Sequence, residues 1–292
     1  LMAYLTSDEV SLHYTDDGAG EAIITLHGLS ESGRYWTLPG ITDRLVAAYR
    51  VINMDMRGHG LSRSKGADKS YDVDTLAGDI EQLADSLGLD RFHLLTHATG
   101  GMVGFRYAMK RPGRLLSVMA TDTGSAILPS DEFAALTDPT VEVPRVKITD
   151  MEQGRELVAG FRGGDWETIF SANRQHADQH IYFNRMNHAL NPQSAFTMYE
   201  ACAERADPDD LADFVESFYD DPNPQIAGLR GISCPVLMLL GEHDVQFIKP
   251  AELVAREVPH CTHRVLAGRG HMVALENPQQ LGDELLAFLN RL

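Results

Sequence analysis

The chain has 292 residues, of which 43% are hydrophobic and 23% are charged. This is an ordinary composition for a soluble protein, and the length suffices for one large domain with an inserted subdomain. The formal net charge of −17 excludes nucleic acid and anionic membranes as favoured partners, because both require a basic protein surface.

The N-terminal stretch LMAYLTSDEVSLHY lacks a basic segment followed by a long apolar run, which argues against a signal peptide. A leucine before the first methionine is typical of residual vector sequence and indicates a recombinant protein. No segment approaches the roughly 20 apolar residues of a membrane span. Cys202, Cys234 and Cys261 form an odd set without CxxC spacing, so we expect a reducing cytoplasm and neither a disulfide framework nor a zinc site.

Short apolar runs predict buried strands along the chain. They lie at Ala22–Leu26, Val51–Met54, Phe92–Leu95, Leu116–Ala120, Val236–Leu240 and Arg264–Leu266. Helical patterns run from Leu76 to Leu87, over Gly101–Lys110 and over Pro278–Leu292. Strands that alternate with helices predict an α/β protein with a mostly parallel, doubly wound sheet.

The segment 127–228 has no convincing strand pattern and is rich in aromatic residues, histidine and methionine. It could be a helical subdomain with its own core, or a lid whose inner face lines an apolar ligand pocket, and both can hold at once. The residues that raise this question are Phe161, Trp166, Phe170, His176, His180, Tyr182, Phe183, Met186, His188, Phe196, Met198 and Tyr199.

The stretch LLTHATGGMVG has the layout of a nucleophile elbow, in which a strand turns sharply into a helix. The usual G-x-S-x-G pattern would place glycine at position 96 and serine at position 98, whereas this chain has Thr96 and Ala98. Glycine-rich turns between strand and helix also bind dinucleotide phosphates, but that reading requires G-x-G-x-x-G near the first strand, where no such motif occurs.

Two later segments supply an acid and a histidine in the order that a catalytic triad needs. Asp244 follows a predicted strand in LLGEHDVQF, and His271 lies in the glycine-flanked loop LAGRGHMVALENP. A histidine in this position would act as the base, and the carboxylate would orient it and stabilise its charged form. Asp122, at the end of another predicted strand in MATDTGS, is an alternative acid or a residue that caps the following turn.

The early stretch TLHGLSESGRYW could complete an oxyanion hole. The turn after His27 and Gly28 can direct the N–H of Leu29 at a developing negative charge, and the N–H of Thr99 would be the second donor. Two such donors can lower a barrier by about 3 kcal/mol. Without the triad, simple turn chemistry would explain His27 and Gly28 as well.

Five segments together resemble the α/β-hydrolase superfamily over essentially the whole chain: LHGLSESGRYW, NMDMRGHGLSRS, LLTHATGG, CPVLMLLGEHD and AGRGHMVALENP. The chain looks most like the enol-lactonase, C–C-bond hydrolase and esterase branch. The resemblance implies an α/β-hydrolase core at 1–126 and 229–292 and an inserted helical cap at 127–228.

The resemblance also implies hydrolysis of an ester, lactone or activated C–C bond through a serine–histidine–aspartate acyl-enzyme mechanism, without a metal or organic cofactor. The implied partner is a small apolar or aromatic ester or lactone, and a homodimer is compatible with this branch. We expect the substrate to contact residues of the early turn and of the cap. These are His27, Gly28, Trp166, Tyr182, Phe183, Met186 and His188, with His176, His180 and Arg185 as further polar candidates.

Ala98 departs from the resembling proteins at the catalytic centre, since they commonly read HSxGG where this chain reads HATGG. The aspartate that dehalogenases and epoxide hydrolases place at this position is absent too. Three explanations remain: an engineered replacement of serine, a natural ligand receptor, or a cofactor-independent dioxygenase that needs only the histidine–aspartate pair. We favour the first, because the other parts needed for acyl transfer are retained.

Overall fold

A computed structural model describes residues 2–65, 69–126, 147–220 and 226–292. Its strands form one sheet in the order β1-β2-β4-β3-β6-β7-β8-β9, with the short β5 paired to β2. The strands are β1 Met2–Thr6, β2 Val10–Gly18, β3 Ala22–Leu26, β4 Arg50–Met54, β5 Arg63–Ser64, β6 Phe92–His97, β7 Leu115–Thr121, β8 Val236–Gly241 and β9 Cys261–Leu266.

The six strands predicted from apolar runs are all present, and they pair in parallel as expected. The last of them begins at Cys261, three residues before the predicted start. The hairpin of β1 and β2 was not predicted; it pairs antiparallel with β4 through β2. Val10 and Leu12 of β2 are fully buried although the neighbouring Ser11 is only partly buried, so the strand extends the sheet with one apolar face.

Helices cover both faces of the sheet. In the described residues they span Arg34–Thr37, Ile41–Leu45, Val73–Ser86, Thr99–Lys110, Glu152–Phe161, Trp166–Gln175, Pro192–Ala203, Pro208–Phe218, Ile248–Glu257, Val273–Glu276 and Pro278–Leu289. The predicted closing helix thus ends at Leu289 rather than Leu292. Adjacent strand residues such as Leu94 and Leu95 belong to separate apolar clusters, because side chains alternate across a strand. The doubly wound arrangement is confirmed.

The described segment 147–220 follows β7 and contains helices but no strand. Of the predicted cap 127–228, residues 127–146 and 221–225 lie outside the described residues. Ile148, Phe161, Leu211 and Val215 form a small apolar cluster within this segment, together with Ala206 and Ala212. None of the described helices is both long and apolar enough to cross a membrane.

Candidate active site

The predicted site residues follow neighbouring parallel strands at one edge of the sheet. Strands β3, β6, β7, β8 and β9 lie side by side, so the residues after their carboxyl ends are brought together. Leu29 follows β3, Ala98 follows β6, Asp122 follows β7, Asp244 follows β8 and His271 follows β9. Chain positions separated by more than 200 residues thereby contribute to one site.

Ala98 is the single residue between β6 and the helix Thr99–Lys110. Its φ of 47° and ψ of −119° lie in a region that residues other than glycine rarely adopt. The backbone is held there by the Ala98 N–H, which donates to the Thr121 carbonyl at 3.1 Å, and by the Ala98 carbonyl, which accepts from the Thr123 hydroxyl at 2.5 Å. The turn therefore has the geometry of a nucleophile elbow, with a methyl group at its apex.

The small residues around the apex permit the close packing of this turn. A Cβ on Gly100 would overlap the carbonyl oxygen of His27 and lie 2.8 Å from Cβ of Leu26. At position 96, where glycine is usual, Thr96 is accommodated because Gly104 faces it: a Cβ on Gly104 would lie 2.8 Å from the Thr96 methyl group. The departure at position 96 is therefore compensated within the helix that follows.

His271 and Asp244 form a buried pair. Nδ1 of His271 lies 2.8 Å from Oδ2 of Asp244, and the two residues are 4% and 0% exposed. Burial lowers the pKa of His271, but the charge of Asp244 and the hydrogen bond to it outweigh burial, so the pKa lies above its ordinary value. The pairing fixes Nδ1 as the bonded nitrogen and leaves Nε2 for the cavity.

The loop that carries His271 is braced by Glu276, a residue that the sequence analysis did not identify. Its carboxylate accepts the N–H groups of Gly270 at 2.8 Å and Met272 at 3.1 Å, one on each side of the histidine. The imidazole ring lies between Tyr182 and Phe247, with ring centroids 4.7 and 5.5 Å away. Together these contacts hold the ring in one orientation.

Asp122, the alternative acid, lies behind the pair rather than against the histidine. Its Oδ1 accepts the N–H of Gly241 at 2.7 Å, and its backbone adopts a left-handed φ of 49°. Burial and then the charge of Asp244 raise the pKa of Asp122 well above its usual range. The geometry therefore pairs Asp244, and not Asp122, with His271.

The turn after β3 lies directly against the elbow. A Cβ on Gly28 would lie 3.1 Å from Cβ of Ala98, so the backbone of this turn and the apex are in contact distance. The N–H groups of Leu29 and Thr99 donate to no backbone acceptor in the described residues. Both amides are thus free to donate to a group bound beside Ala98.

Glu31 is a second site residue that the sequence analysis missed. The side chain is almost fully buried, and Oε2 accepts the N–H of Gly28 at 2.7 Å. Oε1 lies 3.5 Å from Nε2 of His97. Its position three residues after Gly28, in a turn that must satisfy its own amides, is the signal that could have identified it.

A cavity of about 580 Å³ lies above the elbow. The predicted residues on its wall are Leu29, Ala98, Thr99, Phe161, His180, Tyr182, Phe183, Tyr199 and His271. Tyr219 also lines it. The hydroxyls of Tyr199 and Tyr219 contact the hydroxyls of Ser30 at 2.9 Å and of Thr99 at 2.6 Å, respectively. The helical segment and the sheet domain therefore both contribute to the cavity.

Seven residues expected to contact substrate do not reach the cavity wall. They are His27, Gly28, Trp166, His176, Arg185, Met186 and His188. The His27 ring is buried in the loop layer, where Nδ1 donates to the Gly28 carbonyl at 2.7 Å and Nε2 accepts the Met56 N–H at 3.0 Å. Trp166 donates to the Ala206 carbonyl at 2.9 Å, and Met186 is part of the apolar core.

The wall of the cavity is mainly apolar and carries no cationic lysine or arginine among the described lining residues. Its two carboxylates belong to Glu31 and Glu156. The described residues hold no group of three or more His, Cys, Asp or Glu side chains suited to a metal ion. The cavity thus presents an apolar, negatively biased environment beside a histidine–aspartate pair.

Comparison with known proteins agrees with the fold. A family model described as the α/β hydrolase fold matches residues 21–278. A non-heme chloroperoxidase of Kitasatospora aureofaciens is 26% identical, with 98% of each chain covered.

Two solved structures are also similar. A carboxylesterase of Nitrososphaera gargenis has a TM-score of 0.80 at 20% identity, with 99% of this chain and 98% of that chain covered. The enol-lactonase of Burkholderia xenovorans LB400 has a TM-score of 0.75 at 21% identity, with 99% and 100% covered. These two likenesses show the fold, and the family match covers most of the chain. The chain belongs to the α/β-hydrolase fold family.

Proposed function

We propose that this is an acyl-transfer site of the serine-hydrolase type in which alanine occupies the nucleophile position. The observation that carries the proposal is the buried His271–Asp244 pair, whose histidine lies on the same cavity wall as Ala98, Leu29 and Thr99. A base, an apex and two amide donors are the parts that acyl transfer requires. Family membership supports a hydrolase, and the type of reaction is inferred from the groups around the cavity.

With serine at position 98, the steps follow from the geometry. The hydroxyl would attack a carbonyl carbon and pass its proton to Nε2 of His271, while the N–H groups of Leu29 and Thr99 bind the oxyanion. Collapse would expel the alcohol or enol, which takes the proton from His271 and leaves an acyl-enzyme. Water, deprotonated by His271, would then release the acid and restore the hydroxyl.

With Ala98 the same site would bind substrate but could not form the acyl-enzyme. Loss of a triad nucleophile typically lowers kcat about a millionfold. The remaining amides and the histidine would still recognise the carbonyl group. An engineered replacement of serine accounts for a site in which every other catalytic part is retained.

We infer that residues 127–228 act as a cap over this site and that the substrate is a small ester or lactone with an apolar or aromatic group. The support is that the cavity wall combines sheet-edge residues with Phe183, Tyr199 and Phe161 of the helical segment. Because the described wall carries the carboxyl groups of Glu31 and Glu156 and no lysine or arginine, an uncharged substrate should bind better than one with a carboxylate.

The test is Ala98→Ser, assayed beside the unaltered chain and beside Ala98→Ser with His271→Asn. The panel contains p-nitrophenyl esters, lactones and vinylogous diketones, each as an uncharged and a carboxylate-bearing pair. We expect serine to raise hydrolysis by several orders of magnitude, His271→Asn to abolish the gain, and the uncharged partner of each pair to react faster.

Other outcomes would replace the proposal. Unchanged binding without hydrolysis in Ala98→Ser would support a ligand receptor. Oxygen consumption by the chain with Ala98, lost on His271→Asn, would support a dioxygenase that uses the histidine–aspartate pair as its base.

A further inference from the structure

Two aspartates meet behind the histidine at the ends of the adjacent strands β7 and β8. Asp122 and Asp244 are both fully buried and lie on either side of Gly241, whose carbonyl accepts the Asp244 N–H at 3.0 Å; the charge of Asp244 acts on the Asp122 carboxyl group. Each carboxyl group has one oxygen with a firm partner. Oδ1 of Asp122 accepts the N–H of Gly241 at 2.7 Å, and Oδ2 of Asp244 bonds Nδ1 of His271 at 2.8 Å.

The other oxygen of each carboxyl group is left without a donor. Oδ2 of Asp122 and Oδ1 of Asp244 are buried and have no hydrogen-bond partner among the described residues. Two carboxylates cannot satisfy each other, because both are acceptors. A buried polar atom without a partner lowers the stability of the folded state, and two like charges close together lower it further. A single proton between the two groups removes both penalties.

We propose that Asp122 is a neutral carboxylic acid that donates a hydrogen bond from Oδ2 to Oδ1 of Asp244, and thereby positions the carboxylate that orients His271. The proton belongs on Asp122 because Asp244 faces the histidine, whose charged form its negative charge stabilises. Asp122 is thus a positioning residue, and its contribution deepens the proposed function without requiring any particular substrate.

The surroundings of Asp122 favour the neutral form. Burial is the largest influence, followed by the charge of Asp244, and both raise the pKa of the Asp122 carboxyl well above its usual range. The Gly241 N–H acts in the opposite direction, whereas Glu276 adds a further negative charge. A further ionisable neighbour is the phenol of Tyr35, whose pKa burial raises. Among the described residues, no lysine or arginine is one of the main influences on the pKa of Asp122.

The substitution Asp122→Asn distinguishes between a neutral Asp122 that donates a hydrogen bond and an Asp122 that carries a second negative charge. Its amide can accept the Gly241 N–H through oxygen and donate to Asp244 through nitrogen, as the neutral acid does. If Asp122 is neutral, Asp122→Asn leaves the pKa of His271 unchanged. If Asp122 is a carboxylate, the same substitution removes a stabilising negative charge, and the pKa of His271 falls by about one pH unit or more.

The experiment is an NMR titration of His271 in protein labelled in its histidine rings, using the chain with Ala98 and the variants Asp122→Asn, Asp122→Ala and Asp244→Asn. We expect Asp122→Asn to titrate like the parent and Asp122→Ala to titrate higher, because Asp244 loses its donor and holds the imidazolium more strongly. Asp244→Asn should titrate far lower than both, since burial then acts without the opposing charge.

A fall of the His271 pKa in Asp122→Asn would overturn the proposal. Infrared spectroscopy of aspartate-labelled protein gives a second readout. The carbonyl band of a protonated carboxyl group should be present in the parent and absent in Asp122→Asn. This comparison does not depend on whether Asp122→Ala folds. Persistence of that band would also overturn it. Neither readout uses hydrolysis, so this proposal and the proposed function can fail separately.

Discussion

In the part of the chain that the structure describes, three residues other than glycine have a left-handed φ, and all three lie at the site. They are Ser30, Ala98 and Asp122, with φ of 62°, 47° and 49°. Such conformations cost on the order of 1–3 kcal/mol each and persist only where surrounding contacts impose them. Each residue follows the carboxyl end of a parallel strand, where the backbone must turn sharply to present an amide or a side chain. The strain therefore coincides with the positions that the proposed chemistry needs.

Ala98→Gly should release this strain. Replacing a buried alanine by glycine normally lowers the free energy of unfolding by about 1 kcal/mol or more, because the unfolded chain gains freedom. At position 98 the relief of backbone strain, worth about 1–3 kcal/mol, should offset that loss, so we expect the free energy of unfolding to change little or to rise. Ala77→Gly, at an equally buried position in the helix Val73–Ser86, is the matched control and should destabilise. Urea unfolding measures both, and equal losses would contradict a strained apex.

At the level of elements, the junction between β6 and the helix Thr99–Lys110 depends on an absent side chain. Gly100 packs against the end of β3, where a Cβ would meet backbone atoms of Leu26 and His27. Because these are backbone atoms, they cannot move aside as the end of a flexible side chain would. The same contact holds the turn after β3 against the elbow, so a larger residue would separate the two.

Gly100→Ala is expected to lower the free energy of unfolding by about 1–3 kcal/mol through overpacking. Gly78→Ala is the matched control, since Gly78 lies in the helix Val73–Ser86 with open space around its Cβ position. That substitution should instead stabilise by about 0.5–1 kcal/mol through helix propensity. The two midpoints of urea unfolding should therefore move in opposite directions. A stabilised Gly100→Ala would show that the close packing of the elbow can be relaxed.

Which elements could be predicted from the sequence depended on how local their signals are. The six parallel strands are continuous apolar runs, and the positions of Ala98, Asp244 and His271 follow because each comes just after such a run. The β1–β2 hairpin alternates apolar and polar residues and was overlooked. Contacts made by Trp166 and Glu31 depend on side-chain directions set by packing between distant segments, which composition does not encode.

At the level of the whole molecule, two effects of acid oppose each other. The net charge of −17 makes the folded state repel itself, so protonating surface carboxylates should stabilise it. Several histidines have the opposite effect, because burial lowers their pKa and keeps them neutral in the folded state. These are His27, His59, His93, His97 and His180, with the pKa of His59 lowered to about 3 and that of His180 to about 4.

The sign for these histidines follows from proton uptake. Below about pH 6.5 these histidines are protonated in the unfolded chain but not in the folded protein. The unfolded state therefore binds more protons, and the free energy of unfolding decreases as the pH is lowered. Each such group removes about 1.4 kcal/mol per pH unit until its folded pKa is reached. Asp122 acts in the opposite direction, since its raised pKa keeps it protonated in the folded state above the pH at which the unfolded carboxyl binds its proton.

We expect the histidines to prevail, so that the free energy of unfolding falls between pH 7 and about 5. At low salt, acid also relieves the repulsion between surface carboxylates, which stabilises the folded state and partly offsets the histidines. High salt screens this surface repulsion but leaves buried groups largely unaffected, so the fall should be steeper at high salt. His59→Phe removes one buried imidazole and its bond to the Arg57 carbonyl at 3.0 Å, which lowers stability at every pH but should make the pH dependence shallower. His188→Gln, at an exposed position, is the control. Urea unfolding of all three proteins across this pH range, at low and at high salt, measures these effects. If the parent became more stable on acidification at high salt, surface charge would not be what opposes the histidines.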